Sequence, residues 1–311
     1  MNTPANAVPG SAVDAQEIAP PALPATRPLY WSVRRELWES RSIYLAPLGV
    51  AAVFLFGFLI SMITLPHRLR AALALDPLQQ HAALKQPYSL AAALIMGTAF
   101  LVGVFYCLDA LHGERRDRSI LFWKSLPVSD LTTVLAKASI PIVILPLLSF
   151  AVTVATQLVV LLLSSAVLLA SGLGVATLWR QVPLFQMSLL LLYHLLTVHG
   201  FWYAPIYGWL LLVSAWARRA AFLWAALPLL AIGVVEKIAF NTSHFATLLA
   251  HRMMGPEALP MTARGSGPMM DPLAHADPGI FLSAPGLWIG LVFAAVCLAA
   301  AVRLRRWRDP I

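Results

Sequence analysis

The sequence predicts an all-α, polytopic membrane protein with about six transmembrane helices, and three observations carry that prediction. Of the 311 residues, 59% are hydrophobic and only 12% are charged, whereas an ordinary soluble domain has about 25% charged residues. The mean hydropathy is +0.76. Several nearly uncharged stretches reach the roughly 20 residues with which a helix crosses the hydrocarbon core of a bilayer.

The first 28 residues have a different composition from the rest of the chain. The stretch "MNTPANAVPGSAVDAQEIAPPALPATRP" is rich in Ala and Pro, and it lacks the basic segment and apolar core of a signal peptide. It has too few large apolar residues to offset the entropy lost on ordering. We therefore expect residues 1–28 to form a disordered cytosolic tail and residues 29–311 to form the transmembrane domain.

Residues 29–42, "LYWSVRRELWESRS", predict a helix along the membrane surface. Four apolar residues recur at helical spacing: Tyr30, Val33, Leu37 and Trp38. Four charged residues cover another face: Arg34, Arg35, Glu36 and Glu39. An apolar face with Trp opposite a basic face is typical of an interfacial amphipathic helix. A packed surface helix that only fixes the topology is the alternative.

The apolar stretches predict six spans, at about residues 43–65, 89–111, 139–170, 184–214, 220–238 and 286–302. The third and fourth are near thirty residues long, so each tilts strongly or projects beyond the bilayer. The fourth is interrupted by Gly200, Pro205 and Gly208. These residues predict a kinked helix, with a short re-entrant segment near "VHGFWYAPIYG" as the alternative.

The distribution of positive charge predicts the orientation. Placing both termini in the cytosol puts 15 of the 22 Lys and Arg residues on the cytosolic side, as the positive-inside rule requires. The net charge of +8 then reflects topology, and no nucleic-acid partner is predicted. In this orientation, residues 240–285 form the largest segment on the outer side, and we expect a helix there at "FATLLAHRMM". No cofactor or metal site is predicted there.

The loop at residues 112–137 is the one strongly charged segment between spans. Burying each Arg or Lys of "GERRDRSILFWKSLPVSD" at mid-membrane would cost about 2.5–3.5 kcal/mol, so the loop lies outside the bilayer. Pro127 ends a helix, and Ser129 or Asp130 can cap the next one. A helix, a sharp turn and a second helix favour a docking site for a cytosolic partner. A loop that only fixes the topology is the alternative.

The segment from Gly113 to Lys137 resembles the intracellular loop of type-2 ABC transporter permeases. Glu114 and Arg115 match the "ER" pair of that family, "SLPVS" at residues 125–129 matches its turn, and Lys137 matches the basic residue that heads its third helix. The bulky aromatic residues of "RRDRSILFWK" depart from the small residues usual there. The resemblance implies a coupling helix that docks on an ATP-binding subunit through Glu114, Arg115, Arg116 and Arg118.

The resemblance also implies the wider assembly. Residues 29–42 are similar to the family's elbow helix, and the six spans agree with its architecture. The implied function is that of a permease subunit for ATP-driven export in the bacterial inner membrane. Its implied partners are a separate ATP-binding subunit, membrane lipids and a second permease chain, which packs against the first, second and fifth spans.

Two other classes of function remain as alternatives. The chain has no "GxxxxGK[ST]" phosphate-binding motif, so we expect no ATP hydrolysis, and no enzyme activity, of its own. An intramembrane enzyme would draw on His194, His199, Asp109, His112 and Glu114, but two histidines five residues apart do not share a face of an α-helix. An ion-driven carrier usually has several buried carboxylates or inverted repeats, and neither is evident.

Overall fold

The computed structural model describes residues 26–67, 71, 76–125, 128–172, 175–254 and 278–307. These residues form helices and turns, with no strand in the described ranges, which confirms the predicted all-α class. The N-terminal tail was expected to be disordered over residues 1–28, and residues 1–25 of it lie outside the described ranges. Leu126 and Pro127 of the predicted turn, and residues 255–277 of the outer segment, also lie outside the described residues.

The helices follow one another with short connections. The first seven are α1 (Thr26–Glu39), α2 (Ser42–Ser61), α3 (Pro77–Ala110), α4 (His112–Arg116), α5 (Ser119–Lys124), α6 (Asp130–Ser139) and α7 (Leu145–Ala170). The next seven are α8 (Ala176–Gln181), α9 (Leu184–His194), α10 (Ala204–Trp216), α11 (Ala221–Phe240), α12 (His244–Met254), α13 (Pro278–Ser283) and α14 (Pro285–Trp307).

Six segments in the described part of the chain are long and apolar enough to cross a membrane. They are Ser42–His67, Ala83–Arg116, Asp130–Ala170, Leu178–Trp202, Ala221–Phe240 and Pro285–Trp307. Each overlaps one of the six predicted spans, so the sequence prediction of a polytopic membrane protein is confirmed. The protein is a multi-pass, all-α membrane protein.

The third segment is a continuous helical rod that changes its winding near its start. A π-helical turn at Ile140–Ile144 joins α6 to α7, close to Pro141 and Pro146. Proline has no N–H to donate within a helix, and a wider turn is one way in which a helix accommodates the lost hydrogen bond. At 41 residues, the rod exceeds the roughly 20 that a bilayer needs. The predicted excess length is confirmed.

The fourth span is interrupted, as predicted. After α9, a π-helix at Leu195–Trp202 leads to a break at Tyr203, and Pro205 lies in the first turn of α10. At the far end of α10, the Ser214 hydroxyl accepts a hydrogen bond from the backbone N–H of Leu111, which follows α3. The chain therefore continues to the end of the bundle where the second span ends. This geometry contradicts the re-entrant alternative.

The π-helix also brings together two histidines that were predicted to lie on different faces of a helix. In a π-helix the hydrogen bonds join residues five apart, so His194 and His199 lie on one side, with ring centroids 6.0 Å apart. The expectation that they do not share a face was wrong because it assumed α-helical periodicity. The described residues contain no group of three or more His, Cys, Asp or Glu placed to hold a metal ion.

The fourth and sixth spans approach each other closely at Gly208 of α10. A Cβ atom at Gly208 would lie 3.1 Å from the Cα and 3.2 Å from the carbonyl oxygen of Ala294 in α14. Small residues permit such close backbone contact between membrane helices. Leu211 of α10 is fully buried in the core. The α10–α14 pair therefore forms a tightly packed unit of the bundle.

The predicted helix in the outer segment is confirmed as α12. Its N-terminus is capped by Glu236, at the end of the fifth span. The Glu236 carboxylate accepts hydrogen bonds from the backbone N–H groups of His244 (2.6 Å) and Phe245 (2.8 Å) and from the Thr242 hydroxyl (2.8 Å). A carboxylate at a helix N-terminus satisfies free N–H donors and complements the helix dipole.

Helix α1 is amphipathic, but its faces differ from the prediction. Val33 and Leu37 pack against the buried core, and Glu36, expected on the polar face, is only 2% exposed. Trp31 and Trp38 are exposed instead, and the Arg34 guanidinium lies 5.2 Å and 4.7 Å from their ring centroids. The sequence predicted the helix correctly, but Arg35 and Glu36 of its polar side pack on the bundle, while Glu39 stays exposed.

Candidate functional site

The candidate site is the loop that connects the second and third spans, and it is anchored first to α10. The Ser214 hydroxyl accepts hydrogen bonds from the backbone N–H groups of Leu111 (3.0 Å) and His112 (2.9 Å). These N–H groups lack a partner within a helix because α3 has just ended and α4 begins. The His112 Nδ1 atom is also 3.2 Å from the carbonyl oxygen of Ala217. The start of the loop is thus fixed to the end of the fourth span.

Arg115 strengthens this anchor. Its guanidinium donates to the carbonyl oxygens of Ala215 (2.8 Å) and Ala217 (3.3 Å), and the residue is 5% exposed. The last carbonyl groups of a helix have no partners within that helix, and they carry the negative end of its dipole. A buried guanidinium at this position therefore supplies hydrogen bonds to the last carbonyl groups of α10 and holds α4 against that helix.

Glu114 lies at the centre of the ionic contacts. Its carboxylate is within 3.2 Å of the Arg35 guanidinium from α1 and 3.1 Å of the Lys137 ammonium from α6. It also forms an ion pair with Arg305 from α14. Glu114 is 7% exposed. One buried carboxylate therefore joins the loop to three other helices.

A second buried carboxylate, that of Glu36, completes the arrangement. It accepts from Lys137 (2.9 Å), from Arg35 (2.5 Å) and from the Tyr106 hydroxyl (2.7 Å). Burial alone would raise the pKa of Glu36, but the charges of Lys137 and Arg35 and the hydrogen bonds from Lys137 and Tyr106 hold that pKa below its usual value. Glu36 is therefore ionised at neutral pH.

We call these residues the charged hub: Arg35, Glu36, Glu114, Asp130, Lys137 and Arg305. Asp130, at the start of α6, is 3.1 Å from the Arg305 Nε atom. The hub contains three acidic and three basic side chains, so it is formally neutral. Buried ion pairs add little net stability, but removing one partner is strongly destabilising. The hub thus specifies one arrangement of α1, α4, α6 and α14.

Beyond the hub, the loop exposes an apolar surface. Arg118 adopts a left-handed conformation with φ of 57°, and this turn separates α4 from α5. Ile120 is buried, whereas Leu121 and Phe122 are 58% and 61% exposed. The Trp123 ring lies 3.9 Å from the Arg35 guanidinium carbon. We call Leu121 and Phe122 the tip, a pair of exposed apolar side chains on a segment whose other side is fixed.

The C-terminal side of the loop is fixed by a helix cap. The Ser129 hydroxyl accepts from the backbone N–H of Thr132 at 3.1 Å, so Ser129 is the N-cap of α6, and Asp130 is its first helical residue. The sequence had left these two residues as alternatives. Lys137, predicted to head the third helix, is 2% exposed and belongs to the charged hub.

The structure divides the four predicted docking residues into two pairs. Arg116 and Arg118 are exposed, and Arg116 lies 3.8 Å from the exposed Asp109 carboxylate. Glu114 and Arg115 are buried and hold the loop in place. Direct contact of Glu114 or Arg115 with a partner is therefore not compatible with this conformation, because the neighbouring helices already occupy both side chains. Docking of a partner stays a prediction for the exposed pair.

Sequence reasoning missed several contributors to this site. Glu36 and Arg305 are 78 residues before and 191 residues after Glu114 in the chain, and nothing local connects them. The only local signal for Arg305 was its position in a basic segment directly after the apolar run of α14. Nothing in the sequence distinguishes Ser214 from any other small polar residue in a span. Only the packing of α3 against α10 shows that its hydroxyl accepts two backbone hydrogen bonds.

Comparison of the chain with protein-family models, with curated proteins and with solved structures finds no match. The geometry of the charged hub and the tip therefore carries the functional argument.

Proposed function

We propose that this chain is the membrane-spanning permease subunit of a type-2 ABC exporter, driven by a separate ATP-binding subunit that docks on the tip. The observation that carries the proposal is the contrast within one loop. Leu121 and Phe122 are exposed, while Glu114, seven residues before Leu121 and within α4, is paired with side chains of three other helices. An exposed apolar pair on a firmly attached segment has the character of an interface anchor.

The charge around the tip indicates the chemistry of the partner surface. Arg116, Arg118 and Lys124 are exposed beside the apolar pair. Opposite charges at the rim of an interface steer association and fix the register. The docking surface of the ATP-binding subunit should therefore be an apolar depression with an acidic rim.

The charged hub provides a route for mechanical coupling. Displacement of α5 pulls on α4, and α4 is bound to α1, α6 and α14 through Glu114 and to α10 through Arg115. Packed helices and ion-pair networks carry coupling when they have discrete arrangements. Movement of the tip would therefore change the relative positions of the third, fourth and sixth spans, and so open or close a path between them.

The proposal includes the orientation and the assembly. The hub end, to which the last turns of α1 and of α14 contribute, faces the cytosol, because the positively charged segments gather there. The location is the bacterial inner membrane. A second permease chain packs against the exposed apolar faces of the first, second and fifth spans. In the fifth span, Leu230 and Ile238 are 63% and 80% exposed, so lipid or a second chain has to cover them.

The experiment first determines whether an adjacent reading frame encodes a Walker A protein, as the proposal predicts, and then pairs the chain with that protein. Both are co-expressed, the permease is affinity-purified, and bound ATPase is quantified. Leu121→Ser with Phe122→Ser should weaken binding about 30-fold, because an interface anchor contributes roughly 2 kcal/mol. Phe240→Ser is the matched control, since Phe240 is also exposed but lies far from the tip at the end of α11.

Equal recovery of the ATPase with both variants would contradict docking through the tip. Turnover of a substrate by the purified single chain, without ATP dependence, would instead favour the intramembrane enzyme.

A further inference from the structure

A cavity of about 520 Å³ lies between α2, α3, α7 and α8, at the end of the bundle opposite the charged hub. This volume falls within the roughly 300–1,000 Å³ typical of small-molecule sites. The cavity is separate from the loop, from the tip and from the closely packed α10–α14 pair. The proposed function makes no use of it.

The walls of the cavity are mainly apolar, with Phe54, Phe58 and Leu84 among the lining residues. Among the described residues that line it, none is Asp, Glu, Lys or Arg. Val53 and Leu90 also belong to the wall and are 73% and 50% exposed, so the cavity opens onto the outer surface of the bundle. In a multi-pass membrane protein, the medium at that surface is the acyl chains of the bilayer.

One polar group in the wall, the Tyr88 hydroxyl, lacks a well-aligned hydrogen bond. Tyr88 is 1% exposed, and its hydroxyl is buried without a hydrogen bond of acceptable geometry, although Ser164 is nearby in the same wall. A buried hydroxyl that is left unpaired carries a desolvation cost. The Gln157 amide, which donates to the Tyr88 carbonyl oxygen at 3.2 Å, also has an unpaired Oε1 atom. An oxygen supplied by a ligand would satisfy the Tyr88 hydroxyl.

We propose that this cavity binds one acyl chain of a bilayer phospholipid, and that an ester oxygen of that lipid accepts a hydrogen bond from Tyr88. The uncharged, apolar wall suits a hydrocarbon chain, and the lateral opening gives access from the bilayer. Because the Tyr88 hydroxyl lacks a well-aligned acceptor, the site prefers a lipid oxygen over bare hydrocarbon. The inference depends on the membrane-spanning architecture and is independent of the proposed transport function.

Gly57 offers a way to fill the cavity. It belongs to the lining, and no heavy atom lies within 4 Å of the position that a Cβ atom would take there. Gly57→Leu therefore adds a side chain at the site without a clash at its Cβ atom. Gly49→Leu is the matched control, because Gly49 is in the same helix with equally open surroundings and is not among the lining residues. Val53→Trp provides a second filling variant.

The experiment uses the full chain in phosphatidylcholine vesicles that contain a small fraction of phosphatidylcholine with a diazirine on one acyl chain. After irradiation, labelled peptides are identified by mass spectrometry. We expect labelling concentrated on the stretches at 53–65 and 83–90. Gly57→Leu and Val53→Trp should each reduce it about tenfold, which corresponds to about 1.4 kcal/mol, while Gly49→Leu leaves it unchanged. Tyr88→Phe should reduce it about fivefold, the effect of one lost hydrogen bond of about 1 kcal/mol.

Three outcomes would overturn the proposal. The first is labelling spread evenly over the exposed apolar faces and insensitive to both filling variants. The second is labelling by a photoactivatable free fatty acid but not by the phospholipid, which would assign the cavity to a different ligand. The third is a disulfide between two chains that carry Gly57→Cys, which would show that a second copy covers the opening.

Discussion

The Glu114 carboxylate is paired with the Arg305 guanidinium, although Arg305 follows Glu114 by 191 positions in the chain. Both side chains are buried. The pair joins the loop after the second span to the end of the last span, and Lys137 extends the connection to the third span at 3.1 Å. The position of the loop is therefore coupled to helices that are distant from it in the sequence.

Replacing the central carboxylate should destabilise the protein strongly. Glu114→Gln leaves the buried cations of Arg35, Lys137 and Arg305 with too little negative charge. Breaking a buried ion pair from one side typically costs about 3–5 kcal/mol, so we expect a large fall in the thermal unfolding temperature of the detergent-purified protein.

The control is an ion pair on the surface. Asp109 and Arg116 are 3.8 Å apart with side chains 66% and 58% exposed, and such pairs contribute about 0–1 kcal/mol. Asp109→Asn should therefore leave the unfolding temperature almost unchanged. If Glu114→Gln were as stable as Asp109→Asn, the hub would not hold the helices together.

The stability of the protein should fall at acidic pH, in part through Glu36. Its pKa in the folded protein lies below the usual value of 4.5. The stabilising effect of the ionised carboxylate is therefore fully present above pH 4.5 and is lost as the pH falls through the lower folded value. Thermal unfolding measured between about pH 6 and pH 3 should show a steeper loss for the wild type than for Glu36→Gln, which cannot titrate at this position.

A parallel pH dependence in the two proteins would show that Glu36 does not contribute in this way. Glu36→Gln should also be less stable than the wild type at neutral pH, because Lys137 then loses an ionised partner at 2.9 Å.

The close approach of α10 and α14 should be sensitive to a single methyl group. Gly208→Ala places a Cβ atom 3.1 Å from the Ala294 Cα atom, so the helix backbones have to separate. Overpacking of this kind costs about 1–3 kcal/mol. The control is Gly97→Ala in α3, where no atom lies within 4 Å of the new Cβ atom. Unfolding temperatures that shift equally for the two variants would contradict the close packing.

The sequence predicted the architecture because hydropathy and proline placement are local signals. The six spans, the interrupted fourth span around Pro205 and the cap of α6 could all be read from short stretches of residues. Prediction failed where the backbone left α-helical geometry. His194 and His199 lie together because a π-helix connects them, and no residue pattern in that stretch distinguishes a π-helix from an α-helix.

The charged hub could not be predicted because it depends on contacts between residues that are distant in the chain. The loop itself was recognised from its charge, but the sequence did not show which of its charged residues are buried in the hub and which are exposed. Charge alone does not show that Glu114 and Arg115 are buried while Arg116 and Arg118 are exposed. That division follows from where Arg35, Lys137 and Arg305 lie when the helices pack.

Photocrosslinking from the tip tests most directly whether an ATP-binding subunit docks there. The photoreactive residue p-benzoylphenylalanine replaces Phe122 in the co-expressed complex, and in a second variant it replaces Phe240, which is 74% exposed at the end of α11. We predict a covalent product with the ATP-binding subunit after irradiation from position 122 and none from position 240. An active complex that gives no product from position 122, or gives equal products from both positions, would contradict docking at the tip.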